Sequence, residues 1–438
     1  MNLARPTDCA IPVPAAQPPR RFWWVLVAFA GLMFTALVLN PGLLRVLGVN
    51  HYGVWCLDLS AILASNDALA RGLDPYAPNP LDVFGRPHVY AHWWLHLGRL
   101  GLTRGDALWL GFALAAAFFV AAVAPLRPRQ PGEIAWSLVV LCSPPVLLAL
   151  ERANNDLVIF VLLAPVVPCL LSRRPGVRLL AVPLLALAAA LKAYPAVGVL
   201  VLLAGVDRRD TRRLLFVAAL VFLALLPDAA TDFMRYAKIV PETEGLMTMG
   251  ARNLFVGLGL PVATARVLGP LVGALVIAIF LRAKFFDHWT VAPADRGAWL
   301  SFVLGATLLT GCFFAGASFA YRWVFALWLV PLLWRLPRDP AAPAAVRRLA
   351  AAAAALLIVA LWADAMASSL LDKFSAGLTP ENVLRTADRF FYFEQPVTWA
   401  LFICLLGFLT HFAQEGVRRL FRAEPAAALS AQSVPASR

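Results

Sequence analysis

The chain has 438 residues, 61% of them hydrophobic and 14% charged, with a net charge of +13. A soluble globular domain carries roughly 25% charged residues, so an ordinary soluble enzyme is excluded. The basic excess raises nucleic acid as a partner, but its distribution along the chain, given below, argues against one.

Residues 1–21 are Pro-rich and end in Arg20 and Arg21, which reads as a cytoplasmic tail. The apolar run that follows is longer than a signal-peptide core and no Ala-x-Ala site comes after it, so it reads as an uncleaved first span. Further apolar runs lie near 106–124, 134–150, 156–171, 178–192, 193–206, 213–228, 264–283, 297–317, 321–335, 346–366 and 396–413. A run of about 20 residues covers about 30 Å of hydrocarbon as helix. The expectation is an all-α polytopic membrane protein with about twelve spans, forming a single membrane domain over 22–414. The fifth and sixth runs are short and meet at Lys192 and Pro195, so one kinked helix is the alternative there. Residues 415–438 read as a cytoplasmic, disordered tail.

With both termini inside, the cytoplasmic segments hold most of the 38 Lys and Arg and a minority of the 25 Asp and Glu. That is the positive-inside pattern. Anionic lipid headgroups account for it, and nucleic acid is not needed as a partner. Six cysteines are scattered without metal-ligand spacing and read as small apolar residues.

Three outer segments are long: 42–105, 229–263 and 367–395. In the first, Asp58 precedes an apolar stripe formed by Leu59, Ile62, Leu63 and Leu69, which predicts an amphipathic helix lying on the membrane surface. Asp58 suits the N-cap of that helix and also a catalytic base, and the two roles can coexist. Tyr90, Trp93 and Trp94 suit the headgroup level. His88, His92 and His96 recur every four residues, but no carboxylate lies among them, and the segment reads as interfacial aromatic sequence with no metal site and no other cofactor.

The remaining unusual polar residues converge on the same outer side. Glu151, Arg152, Asn154, Asn155 and Asp156 sit in the turn between the third and fourth spans. Lys192 and Tyr194 sit between the fifth and sixth, Arg252 and Asn253 in the second long segment, and Tyr321 and Arg322 at the start of the tenth span. Ionisable groups at membrane depth are costly and usually face a cavity. Lys192 and Arg322, with Arg252, have the chemistry to hold a phosphate or pyrophosphate; the structural alternative is snorkelling by Lys192 and pairing of Arg322 with Glu151 or Asp156. No internal repeat of the transporter kind is visible.

Four stretches carry a resemblance: G-L-D-P-Y at 72–76, which includes Tyr76, N-N-D-L at 154–157, A-A-A-L-K-A-Y-P at 188–195, and the segment 318–323. In this order and after an acidic residue behind the first span, they resemble the polytopic GT-C glycosyltransferases, most of all glycosyltransferase family 87, the alpha-mannosyltransferase group. The resemblance implies a GT-C-like fold and an inverting hexosyltransferase. Its donor would be a sugar, mannose-like, on polyprenyl phosphate, and its acceptor a lipid-linked or cell-envelope glycan. It also implies a bacterial inner membrane with the active site facing the periplasm. Asp58 would then be the general base and Lys192 would contact the donor phosphate, with Arg322, Arg252, Glu151, Asn155, Asp156, Tyr76 and Tyr321 binding substrate. The competing reading is a transporter or flippase of a lipid-linked sugar.

Overall fold

The computed structural model describes residues 20–49, 51–240, 248–287, 289–316, 318–374 and 380–421, with the backbone alone at 20–22, 368–374 and 380–392. The chain is helical nearly throughout, as a backbone in hydrocarbon must be, because lipid supplies it no hydrogen-bond partners. Among the described residues, six helices are long and apolar enough to cross a membrane: Arg104–Val123, Arg208–Tyr236, Val262–Arg282, Pro293–Ala315, Ala344–Ala367 and Phe393–Phe421. Pro131–Leu141 and Pro144–Arg152, bent by 55° at their junction, count as a seventh if taken together. The protein is an all-α polytopic membrane protein.

The other expected spans exist as helix but are shorter. Trp23–Leu39, Asn155–Leu170, Pro175–Leu191 and Tyr194–Ala204 are apolar helices of 10–17 residues. The tenth expected span is divided into Ala320–Trp328 and Val330–Arg335. At the C-terminal end, the last helix runs to Phe421, past the boundary expected at 414. The tail beyond it and the expected N-terminal tail up to residue 19 lie outside the described residues.

The junction of the fifth and sixth expected spans is a hairpin. Helix Ala181–Leu191 ends at Lys192, whose extended backbone (φ −159°, ψ 122°) breaks the helical path. The chain then folds back along it as Tyr194–Ala204. The close approach needs Gly198, since a Cβ there would meet Leu185 at 2.9 Å. Tyr194–Ala204 is wound as an 11-residue 3₁₀ helix, an unusual length for that form. Two further long 3₁₀ runs, His92–Leu100 and Ala320–Trp328, have 9 residues each. All three start at the same end of the bundle.

Burial is graded from centre to rim. In the window that qualifies Pro293–Ala315 as a span, 78% of residues are buried by protein, against 11% for Arg208–Tyr236 and 17% for Val262–Arg282. The latter two expose Leu220, Leu223, Leu226, Leu271 and Leu275, as helices facing lipid do. At the centre, Gly305 and Gly311 let Ala320–Trp328 and Tyr194–Ala204 approach. A Cβ on Gly305 would meet the Phe325 carbonyl at 2.7 Å, and one on Gly311 the Val197 side chain at 2.7 Å. Strand Thr248–Met249 pairs antiparallel with Ser318–Phe319 and ties the second long segment to the start of Ala320–Trp328.

The first-loop helix, Leu57–Ala70, departs from the expected surface helix. It is buried on nearly every face, with Asp58, Ser60, Ser65 and Asn66 covered as well as Leu59 and Ile62. The apolar stripe marked one face, but the rest of the loop and the neighbouring spans close over the others. Asn66 holds the loop together, accepting from the Gly98 N–H at 2.7 Å and donating to the Trp94 carbonyl at 3.1 Å. Trp94 is itself buried, with its indole N–H on the Leu191 carbonyl at 3.0 Å, while Trp93 stays exposed. Only part of the aromatic segment is therefore free to meet headgroups.

Candidate active site

Two short backbone junctions position the site. Cys56 takes a left-handed conformation (φ 60°) and starts the first-loop helix, so Asp58 falls in its first turn and is not its N-cap. Ala153 is also left-handed (φ 43°) and ends helix Pro144–Arg152. Such conformations cost non-glycine residues about 1–3 kcal/mol and persist where the surroundings enforce them. A hydrogen bond from the Cys56 N–H to the Glu151 carbonyl, 2.8 Å, joins the two junctions.

Asn154 follows and caps the next helix, its side-chain oxygen accepting from the Asp156 N–H at 2.9 Å. Its amide nitrogen donates to Asp58 Oδ2 at 2.6 Å, and its side chain also meets the Tyr321 hydroxyl. One fully buried amide thereby links the first loop, the Asn154 turn and the start of Ala320–Trp328.

The opposite side of the cluster is cationic. Lys192 Nζ lies 2.5 Å from Asp156 Oδ1 and 2.8 Å from Asn155 Oδ1, and the Tyr194 hydroxyl donates to the same Asp156 oxygen at 2.7 Å. The ammonium also faces the Tyr194 and Tyr321 rings at 5.5 and 5.7 Å. Arg322 stacks over the Tyr194 ring at 4.9 Å and sits beside Cys312 and Asp156. Its Nε is buried without a partner, as are Asp156 Oδ2 and Asn155 Nδ2. Among the described residues, Arg322 makes no salt bridge.

Asp58 is 6% exposed and flanked by two arginines: Arg86 at 3.4 Å and Arg152 at 3.8 Å. Arg86 is anchored on Asp82 at 2.9 Å and on the Leu57 carbonyl at 2.9 Å. Burial pushes the Asp82 carboxyl up, but the Arg86 side chain and the N–H groups of Arg86 and Phe84 outweigh it and hold the group below its ordinary value. Burial lowers Arg86, and Asp82 and Asp58 more than reverse that. Beyond Asp58, Glu151 binds His51 at 2.7 Å and Arg152 at 3.3 Å.

Of the residues expected at the site, Asp58, Asn155, Asp156, Lys192, Tyr321 and Arg322 come together, with Glu151 adjoining through Arg152. Arg252 is buried in helix Ala251–Gly257, which follows strand Thr248–Met249. Tyr76 lies apart. Its ring meets His88 at 5.6 Å, His88 meets Tyr90 at 5.7 Å, and Tyr90 is the ring beside Asp58. Asn154 and Tyr194 stand in the outer polar cluster of the sequence without an assigned role, and Arg86, the cation of Asp58, is not in it. Asn154 carried a signal, since an Asn before an apolar run is an N-cap pattern. Arg86 carried none. Among the described residues, no three His, Cys, Asp or Glu side chains converge as metal ligands, and His92 is instead paired with Asp232 at 2.9 Å.

No protein-family model, curated protein or solved structure matches the chain. The chemistry of the cluster is what bears on function. It places a buried carboxylate, a hydrogen-bonded amide and two cations around aromatic walls, an arrangement suited to taking a proton on one side and stabilising an anion on the other.

Proposed function

We propose that this protein is an integral-membrane inverting glycosyltransferase, GT-C-like with about twelve membrane-embedded segments, that moves mannose from a polyprenyl-phosphate donor to a lipid-linked or cell-envelope glycan. The observation that carries the reading is Arg322, a guanidinium in the same network as Asp58 that makes no salt bridge among the described residues. A site that keeps such a cation beside a buried carboxylate suits a reaction that releases an anion as it consumes a proton acceptor.

In this reading Asp58 removes the proton of the acceptor hydroxyl. The acceptor oxygen forms the new bond to the anomeric carbon, from the face opposite the donor phosphate. The bond from that carbon to the phosphate oxygen breaks, and the electron pair leaves with the polyprenyl phosphate. Arg322 and Lys192 meet the charge on the departing phosphate. Asn154 holds Asp58 in place, and Tyr194 and Tyr321 wall the sugar. General base catalysis contributes about 10²–10⁴ in rate. The site faces the periplasmic side of a bacterial inner membrane.

The test is incubation of membranes containing the protein with labelled polyprenyl-phosphate mannose and glucose, followed by identification of the product and its anomeric configuration. The reading expects a new glycosidic bond of inverted configuration. Movement of the labelled lipid across the bilayer without a new bond would replace it with a flippase.

A further inference from the structure

A cavity lies away from Asp58. It has a volume of about 540 Å³ and is lined by Leu69, Asp74, Pro75, Tyr76, His92, Leu95 and Arg235. That size falls within the range of about 300–1,000 Å³ usual for small-molecule sites. It lies between the first loop and the last turn of Arg208–Tyr236, a helix with an apolar face open to lipid.

The lining is built, not incidental. Asp232 fixes the His92 imidazole, with both carboxylate oxygens within 3.1 Å of Nδ1 and the His92 N–H on Oδ2 at 3.2 Å. The Asp74 side chain accepts from the Tyr76 N–H at 2.9 Å through one oxygen, leaving the other oxygen open. Arg235 faces the Tyr76 ring at 5.8 Å and lies beside the enclosed Tyr76 hydroxyl. The wall thus offers a ring face from Tyr76, donors from Arg235, and an acceptor from Asp74.

This mixture fits one ligand class better than others. An anion would meet Asp74 directly and Asp232 behind His92. A purely apolar ligand would leave the Arg235 and Asp74 groups unsatisfied, which costs free energy. A polyhydroxylated, uncharged ring can stack on Tyr76 while its hydroxyls both donate and accept.

We propose that this cavity is a saccharide-binding site, separate from the Asp58 cluster and divided from it by the His88 and Tyr90 rings. Its natural occupant is the part of the acceptor glycan remote from the reacting hydroxyl; this assignment of the occupant rests on the glycosyltransferase reading, whereas the saccharide class rests on the lining alone.

The test is saturation-transfer NMR on the full chain in nanodiscs with neutral disaccharides as probes: mannobiose, maltose, cellobiose and chitobiose, with inorganic phosphate as a further arm. At least one disaccharide receives saturation. Tyr76→Ala and Arg235→Ala each weaken it about tenfold, as loss of a ring face or a charged hydrogen bond would. Tyr76→Phe weakens it less, and Asp58→Asn leaves it unchanged while abolishing transfer. Tryptophan fluorescence checks that each variant is folded. Absence of binding by every disaccharide, binding indifferent to both alanine variants, loss of binding in Asp58→Asn, or displacement of the sugar by phosphate would each overturn the proposal. The assay contains no donor, so a failure of glycosyl transfer leaves its result standing.

Discussion

The two polar ends of the bundle use their charges differently. At one end, arginines join connecting segments. Arg335 reaches Glu133 at 2.6 Å, Asp295 at 3.3 Å and the Arg127 carbonyl at 3.1 Å. Arg129 adds a second contact to Asp295 at 3.0 Å, and Arg178 binds Asp210 at 2.9 Å. Each of these carboxylates meets arginine or backbone N–H groups, and the result is a set of latches between loops. At the other end, Asp58 lies between Arg86 and Arg152 and takes an amide, Asp156 meets a phenol and an ammonium, and Arg322 has no carboxylate partner among the described residues. Like charge content serves closure at one end and an open, asymmetric cluster at the other.

Two buried ion pairs make that contrast testable, because their exposure matches. The side chains of Lys192 and Asp156 are 15% and 0% exposed, those of Arg335 and Glu133 15% and 1%. Removing one member of a buried pair costs about 3–5 kcal/mol. Lys192→Met and Arg335→Ala are both expected to lower the melting temperature in nanodiscs by comparable amounts. Only Lys192→Met is expected to reduce glycosyl transfer per folded molecule. Equal loss of transfer in both would erase the distinction between the ends.

A smaller effect concerns His88, which packs between Tyr76 and Tyr90 and is 1% exposed. Burial lowers its pKa from 6.5 to about 4. The unfolded chain then binds the proton first as pH falls, so the folded state has its full advantage above about 6.5 and loses it progressively toward 4. The difference corresponds to about 3 kcal/mol at 1.36 kcal/mol per unit. Melting curves between these pH values should show the decline, and His88→Phe should flatten it. An unchanged slope in that variant would place the pH sensitivity elsewhere.

Arg322→Lys keeps the charge but removes the planar fork that can hold a phosphate through two parallel bonds. A loss of about tenfold in affinity for the polyprenyl-phosphate donor is expected, read as a rise in KM. A fall in kcat alone, with KM unchanged, would remove Arg322 from donor binding.

Much of the site was legible because membrane depth penalises stray charge. Lys192 stood among alanines and leucines, and Asp156 and Arg322 stood at the ends of apolar runs. Their convergence followed from placing those ends on one side. Helicity was legible for the same physical reason. What could not be read depended on tertiary closure. The Leu57–Ala70 stripe showed one buried face and gave no sign that the loop would cover the rest. Arg86 reaches Asp58 across 28 residues of loop, a distance set by the turn around Asp82. The short 3₁₀ hairpin at Lys192 depends on Gly198 meeting Leu185, and apolar run length says nothing of that.

The central claim is that Asp58 is the base of a glycosyl transfer. Its most direct test is the rate of sugar transfer from labelled polyprenyl-phosphate mannose by purified protein in proteoliposomes, wild type against Asp58→Asn at matched folded protein. The account predicts a loss of about 10²–10⁴ in rate per folded molecule. Wild-type transfer by Asp58→Asn would contradict it.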